Sequence, residues 1–357
     1  MNIRKILNSY VNREQLYIDI NDLDINLLID QSLEPLLYPV TQNKEYKKYY
    51  VSWVVKQEEF YSIQNEITEL FNMNNINHIY FKGSVLSRIY DDPSVRTRGD
   101  IDLYVSYKNL ETTKELLLSN NYILNDNSDC QHHISFSKND IEVEVHFNMF
   151  DEDVDKSWIK LYNTPFDLCD NVDASLYEFT PTYHFLYCIM HFAHHLRHGA
   201  GIRYLLDFYY IFKKTNIDFS LLHSKLKECN LTKLYSNIIN ALSTIFDIDY
   251  DLTIEKEDVS FFIDYLLLYG IHGNSNNETS MNASSHKNKF KYAISRIFLT
   301  NKAYRISKYP KLGSRWYLYP ICLLKHWLYL ITHKLGSFFK FLFGKNKNKS
   351  LYKKLGI

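Results

Sequence analysis

Ile79-Tyr80-Phe81-Lys82-Gly83-Ser84 is followed, after fifteen residues, by Asp100-Ile101-Asp102-Leu103-Tyr104-Val105. The first stretch is a short apolar strand that runs into Gly-Ser. The second is an apolar strand with two aspartates two residues apart. Residues i and i+2 of a strand share a face, so Asp100 and Asp102 stand side by side while Ile101 and Leu103 face a core. Adjacent carboxylates repel each other unless a cation lies between them. A hard divalent ion with oxygen ligands meets that need, and Mg²⁺ (or Mn²⁺) is the usual one where phosphates are handled. Without further context, two strand aspartates are more often a solvated face.

The context comes from Ile141-Glu142-Val143-Glu144-Val145-His146-Phe147, which alternates apolar and polar residues throughout. That alternation predicts a half-buried strand with Glu142, Glu144 and His146 on its polar face. Lys138-Asn139-Asp140 reads as a hairpin turn, which places the preceding strand at about His132 to Ser137. Either glutamate could serve as a third carboxylate.

Gly-Ser after a strand, Asp-x-Asp on the next strand and an acid on a later strand resemble the signature of the polymerase beta-like nucleotidyltransferase superfamily. Within it, the chain resembles a bacterial family of uncharacterised nucleotidyltransferases. The resemblance rests on strand-Lys82-Gly83-Ser84, on Arg96 to Asp102, on Glu144-Val145-His146, and on a later helix with spaced histidines followed by Arg203-x-x-x-Asp207. The spacer between Ser84 and Asp100 is longer than in compact members and holds a short helix, Val85 to Asp91, with an Asp92-Pro93 turn.

The resemblance implies an α+β fold, a small mixed β-sheet nucleotidyltransferase core with flanking helices followed by a helical lobe. It implies Mg²⁺-dependent transfer of a nucleoside monophosphate from an NTP, with release of pyrophosphate. Asp100, Asp102 and Glu144 would be the catalytic, metal-holding acids, and Glu144 is preferred to Glu142 because Glu-Val-His matches the family strand. Ser84 and the amides around Gly83 would grip phosphate, since glycine admits a close backbone approach. Lys82 would reach a phosphate, and Arg96 and Arg98 would stabilise the departing pyrophosphate. Ion pairs from these arginines to Asp91 or Asp92 are the competing assignment. His146 would orient a ligand or sit as a structural histidine.

His184, His191, His194, His195 and His198 form a second cluster. His191 and His195, four residues apart on a helix, have the spacing of a transition-metal pair. There is no Glu beside His191 as in H-E-x-x-H, so a zinc peptidase is excluded. A face turned to the nucleotide cleft or a buried polar network is the stronger reading. The resemblance gives His191, His195 and Arg203 a substrate-facing place, and Arg203 with Asp207 the spacing of an internal ion pair.

At 357 residues the chain can bury a sizeable core, with two lobes expected. Five scattered cysteines with no C-x-x-C fit reduced thiols in a cytoplasm. No apolar run or small-residue cleavage site follows Met1-Asn2-Ile3-Arg4-Lys5, so a signal peptide is not expected. Lys and Arg total 41, as do Asp and Glu, but the balance is uneven. After Glu278 come 17 basic and no acidic residues, leaving 24 basic against 41 acidic side chains up to and including it. A basic C-terminal region suits RNA or an anionic membrane surface, or else the acidic remainder of the same molecule.

Four segments follow: 1–75, an N-terminal helical segment; 76–175, the nucleotidyltransferase core; 176–335, a helical domain; and 336–357, a basic tail. Helices are predicted at Trp53 to Asn74, Lys108 to Asn120, from Thr180-Pro181-Thr182, and at Gly201 to Lys213, Phe219 to Cys229, Thr232 to Phe246 and Val259 to Gly270. Asn274 to Asn288 reads as an exposed loop. The apolar stretch Arg315 to Thr332 is interrupted by Pro320, Lys325 and His326 and is too short to span a bilayer. A buried helix is favoured there over one lying in a membrane interface. The expected location is cytoplasmic, with peripheral contact at the inner membrane face as the variant that an interfacial helix would give. The acceptor of the nucleotidyl group is open among a small molecule, tRNA and a protein side chain. The reading from another class is a catalytically inactive module of the same fold that binds a nucleotide or a partner.

Overall fold

The computed structural model describes residues 3–17, 23–125, 132–151, 154–197, 199–248, 250–270, 297–299, 305, 309, 315–329 and 349–357. The loop expected at Asn274 to Asn288, most of the basic tail and His198 lie outside the described residues.

A seven-stranded mixed sheet organises the molecule: β1 (His78–Tyr80), β2 (Asp100–Val105), β3 (Ile123–Leu124), β4 (His133–Lys138), β5 (Ile141–His146), β6 (Cys169–Asp173) and β7 (Leu176–Phe179). Their order across the sheet is β3-β4-β5-β2-β1-β7-β6. The β2–β5 and β1–β7 pairs are parallel, and the other neighbours are antiparallel. The sheet is thus the mixed one expected, set among helices. Strands β6 and β7 were not predicted. Asp170, Asn171, Asp173 and Glu178 break up any apolar alternation there, and pairing of β7 to β1 holds the strands in place.

The helices are α1 (Ile3–Asn12), α2 (Ile25–Asp30), α3 (Leu37–Thr41), α4 (Lys47–Met73), α5 (Gly83–Ile89), α6 (Leu110–Ser119), α7 (Lys156–Leu161), α8 (Pro181–Leu196), α9 (Arg203–Lys214), α10 (Phe219–Glu228), α11 (Thr232–Phe246), α12 (Ser260–Leu268), α13 (Tyr319–Tyr329) and α14 (Lys349–Leu355). The long helix α4 buries Gln57, Phe60, Ile63, Gln64, Ile67 and Phe71. That three-to-four spacing is one helical face. It packs with Ile101, Leu103 and Val105 of β2 and Ile141, Val143 and Val145 of β5 in one apolar cluster. A larger cluster on the other side joins Ile79, Phe81 and Tyr104 of the sheet region to α8, α9, α11 and α12.

Strands β2 and β5 therefore give their aliphatic residues to α4 and turn their acids towards the helices α8 and α9. The register places Asp102 beside Glu144 and Leu103 beside Val145. A slip of one residue would exchange the acids for the core residues, and burial on the α4 side forbids it. The C-terminal helix α14 is docked on α11: Asn237 donates to the carbonyls of Lys354 and Leu355, and Leu355 is fully buried.

Candidate active site

A cleft of about 400 Å³ lies between the polar face of the sheet and α8–α9. Its floor is made by neighbouring strands. Asp100 and Asp102 come from β2, and Glu144 and His146 come from β5. Asp102 is buried, whereas Asp100 and Glu144 are half-buried. Glu142 shares the Glu144 face but is exposed, and it accepts a hydrogen bond from the Ser135 hydroxyl.

Lys82 enters the cleft from a strained turn. Its backbone has φ +49° and ψ −129°, a conformation that favours glycine, at the junction of β1 and α5. Lys82 Nζ donates to Asp102 Oδ1 at 2.7 Å. His146 Nε2 lies 3.1 Å from the same oxygen and 3.2 Å from Glu144 Oε2. Burial works against the charge on Asp102, but Lys82 and His146 outweigh it and hold the carboxyl well below the ordinary carboxylate range. The Asp102 charge, reinforced by burial, pushes the Asp100 carboxyl up to about 7. Asp102 Oδ2 is buried with no hydrogen-bond partner among the described residues. An orphaned carboxylate oxygen beside two further carboxyls is a donor set that fits a hard divalent cation.

The two arginines before β2 have different fates. Arg96 is bound through Nε and Nη2 to the two carboxylate oxygens of Asp207, each at 3.0 Å, and Tyr90 donates to Asp207 at 2.6 Å. The pairing expected between Arg203 and Asp207 is replaced by this one, and Arg203 donates to the Thr97 carbonyl at 2.5 Å. Asp91 pairs with Arg13, Lys213 and Lys214, not with Arg96 or Arg98. Arg98 is 4% exposed and lies over the rings of Phe60 and Tyr61, at 4.3 and 5.2 Å. None of its three guanidinium nitrogens has a hydrogen-bond partner among the described residues. Burial, with Arg96 nearby, pushes it down to about 10.

Gly83 has a packing reason to be glycine. A Cβ there would lie 3.1 Å from Arg96 Nη1 and 3.3 Å from Arg98 Cβ. Ser84 is fully buried and does not line the cleft. Helix α5 runs for seven residues from Gly83, and of the residues expected beside a phosphate Lys82, Gly83 and Arg98 line the cleft.

The chain belongs to the family of uncharacterised nucleotidyltransferases. The family model matches residues 28–247, from α2 to just past α11, and so covers the sheet, the cleft and the helices that close it. No curated protein and no solved structure matches the chain. A general nucleotidyltransferase role follows from the family.

In this nucleotidyltransferase the cleft also gathers residues that were not singled out from sequence. His132 and His133 sit at the start of β4, and Asp151 follows β5. The antiparallel register sets His133 against His146, a juxtaposition invisible until the hairpin is in place. From the opposite wall come His191 and His195, whose Nε2 atoms are 3.0 Å apart. Burial, followed by the influence of His195 and Lys82, holds His191 well below the ordinary histidine value, so it is neutral. Arg203 lines the same cleft. No helix among the described residues is long and apolar enough to cross a membrane.

Proposed function

We propose that this nucleotidyltransferase moves a nucleoside monophosphate from an NTP to an acceptor hydroxyl or phosphate, with Mg²⁺ or Mn²⁺ as the metal, and releases pyrophosphate. The observation that carries the reading is the convergence of Asp100, Asp102 and Glu144 with a buried, unpaired Arg98 in one cleft. Asp100, Asp102 and Glu144 would hold the metal, which when bound neutralises phosphate charge and orients the attacking and leaving oxygens.

The chain's own groups do the rest. Arg98 is the unspent cation, and a polyphosphate would supply the acceptors its guanidinium lacks. Lys82 carries a charge in reach of the same phosphates, since its nearby carboxylates maintain its protonation against burial. Glu144 takes the proton of the acceptor, because it is half-buried at the cleft whereas Asp102 is buried and bound by Lys82. The Arg96–Asp207 pair acts on position only: it fastens the loop that carries Arg98 to α9. His191, His195 and Arg203 face the substrate from the helical wall.

The test follows label from each of the four α-³²P-NTPs with Mg²⁺ or Mn²⁺ and a lysate of the source cell, beside an Asp100→Asn/Asp102→Asn variant. Label entering RNA, protein or a small-molecule fraction with the wild type alone supports the reading and identifies the acceptor class. NTP binding without any transfer would favour the inactive binding module, and the absence of both would overturn the nucleotide reading.

A further inference from the structure

Six histidines line the cleft, and the reaction above asks for few of them. Three belong to the β4–β5 hairpin. His132 Nδ1 lies 2.6 Å from Asp151 Oδ1, and its Nε2 lies 3.1 Å from His133 Nδ1. His133 Nε2 in turn lies 3.4 Å from Glu144 Oε1. One ring nitrogen from each of His132, His133 and His146 falls within 4.8 Å of the other two. Asp102, Glu144 and His146 meet the same condition, so His146 joins an imidazole cluster to a carboxylate one.

Asp151 faces His132 Nδ1, His132 Nε2 is turned towards His133 Nδ1, and the other nitrogen of His133 is turned towards Glu144, so the two rings stand edge to edge with a carboxylate at either end. At the other end of the cluster, His146 Nδ1 is buried with no hydrogen-bond partner among the described residues.

Mg²⁺ prefers oxygen ligands, whereas imidazole suits zinc and its neighbours. Zinc–nitrogen bonds of roughly 2.0–2.1 Å place neighbouring tetrahedral ligands roughly 3.3 Å apart. The facing nitrogens of His132 and His133 already stand at 3.1 Å. Asp151 stands behind His132 as the carboxylate that fixes the tautomer of a metal-binding histidine.

We propose that His132, His133 and His146, oriented by Asp151 and bordered by Glu144, form a binding site for a zinc-class transition metal, distinct in ligand chemistry from the carboxylate site. The ligand geometry that defines this site is independent of nucleotidyl transfer.

The experiment uses the full chain, stripped with chelator and dialysed against Zn²⁺ or Co²⁺ with Mg²⁺ in excess. Metal content is measured by mass spectrometry, and the visible spectrum of Co²⁺ reports nitrogen ligation. The expected result is about one Zn²⁺ or Co²⁺ retained per chain against Mg²⁺. His132→Ala/His133→Ala should weaken retention at least about tenfold and abolish the cobalt band, and Asp151→Asn should weaken it about tenfold. Thermal melts check folding, and if the double variant does not fold, Asp151→Asn decides, since it keeps every histidine. No retention by the wild type, full retention by the decisive variant, or loss of the ion through His191→Ala/His195→Ala alone would each overturn the proposal. NTP binding in Mg²⁺, read on the same samples, separates the two readings. Failure of the histidine site leaves it intact, whereas failure of the nucleotide reading removes it and leaves zinc retention unchanged.

Discussion

Arg98 is a buried cation that finds no hydrogen-bond acceptor among the described residues, so its environment opposes folding while its charge favours an anionic ligand. Arg98→Met keeps an apolar stem over Phe60 and removes that conflict. The variant should melt no lower than the wild type yet bind NTP about 10–100-fold more weakly, the loss of one charge-assisted contact of about 1.5–3 kcal/mol. Thermal melts with and without nucleotide read both effects, and a large drop in the melting temperature of the free protein would contradict this account. Lys82 presents the opposite case. Its ammonium neutralises a carboxylate that is 1% exposed. Breaking such a pair from one side leaves an uncompensated buried charge, so Lys82→Met should cost about 3 kcal/mol in metal-free urea unfolding. Adding Asp102→Asn should recover most of that loss, because the orphaned charge is then gone.

At the scale of elements, the joint that matters is the loop before β2 on α9. Arg96 reaches Asp207 through two hydrogen bonds, Tyr90 closes the same carboxylate, and all three side chains are buried. Asp207→Ala strands the Arg96 charge and should lower stability by about 3–5 kcal/mol. It should also loosen Arg98, two residues away, so NTP affinity should fall together with the urea midpoint. An unchanged midpoint would show that the two elements are held by apolar packing alone.

This joint also marks where the sequence stops being readable. Strands β2 and β5 were legible because Ile101/Leu103 and Val143/Val145 alternate with acids, and that local pattern already placed Asp100, Asp102 and Glu144 on the cleft face. The partner of Asp207 was not legible. One helical turn makes Arg203 the local candidate, but the true partner lies 111 positions away and is chosen by tertiary packing. Ser84 misled for a similar reason: Gly-Ser after a strand looks the same whether the serine turns to the cleft or into the core. His132 and His133 carried no periodic signal, and only the pairing of β4 with β5 gives them a shared neighbour.

Over the whole molecule, buried histidines and buried carboxyls compete for control of acid stability. Burial pushes His78 and His184 down to about 4 and holds His191 well below its ordinary value. In the unfolded chain these groups titrate near about 6.5. The unfolded state therefore binds more protons below that pH, and each histidine withdraws about 1.4 kcal/mol per pH unit as the pH falls from about 6.5 towards its folded value. Asp100, raised to about 7 chiefly by Asp102, and Glu34, raised chiefly by burial, act in the opposite direction. Their folded forms take up protons first, so they add stability over the same descent. Three histidines outweigh two carboxyls, and the metal-free protein should lose stability between pH 6.5 and about 4. The opposition can be taken apart by mutation. Asp100→Asn removes a compensating group and should steepen the loss, while His184→Gln should make it shallower. Urea midpoints at pH 7.5, 6.0 and 5.0 in chelator measure all three slopes, and an Asp100→Asn slope no steeper than the wild type would show that Asp102 does not raise its neighbour in the folded state.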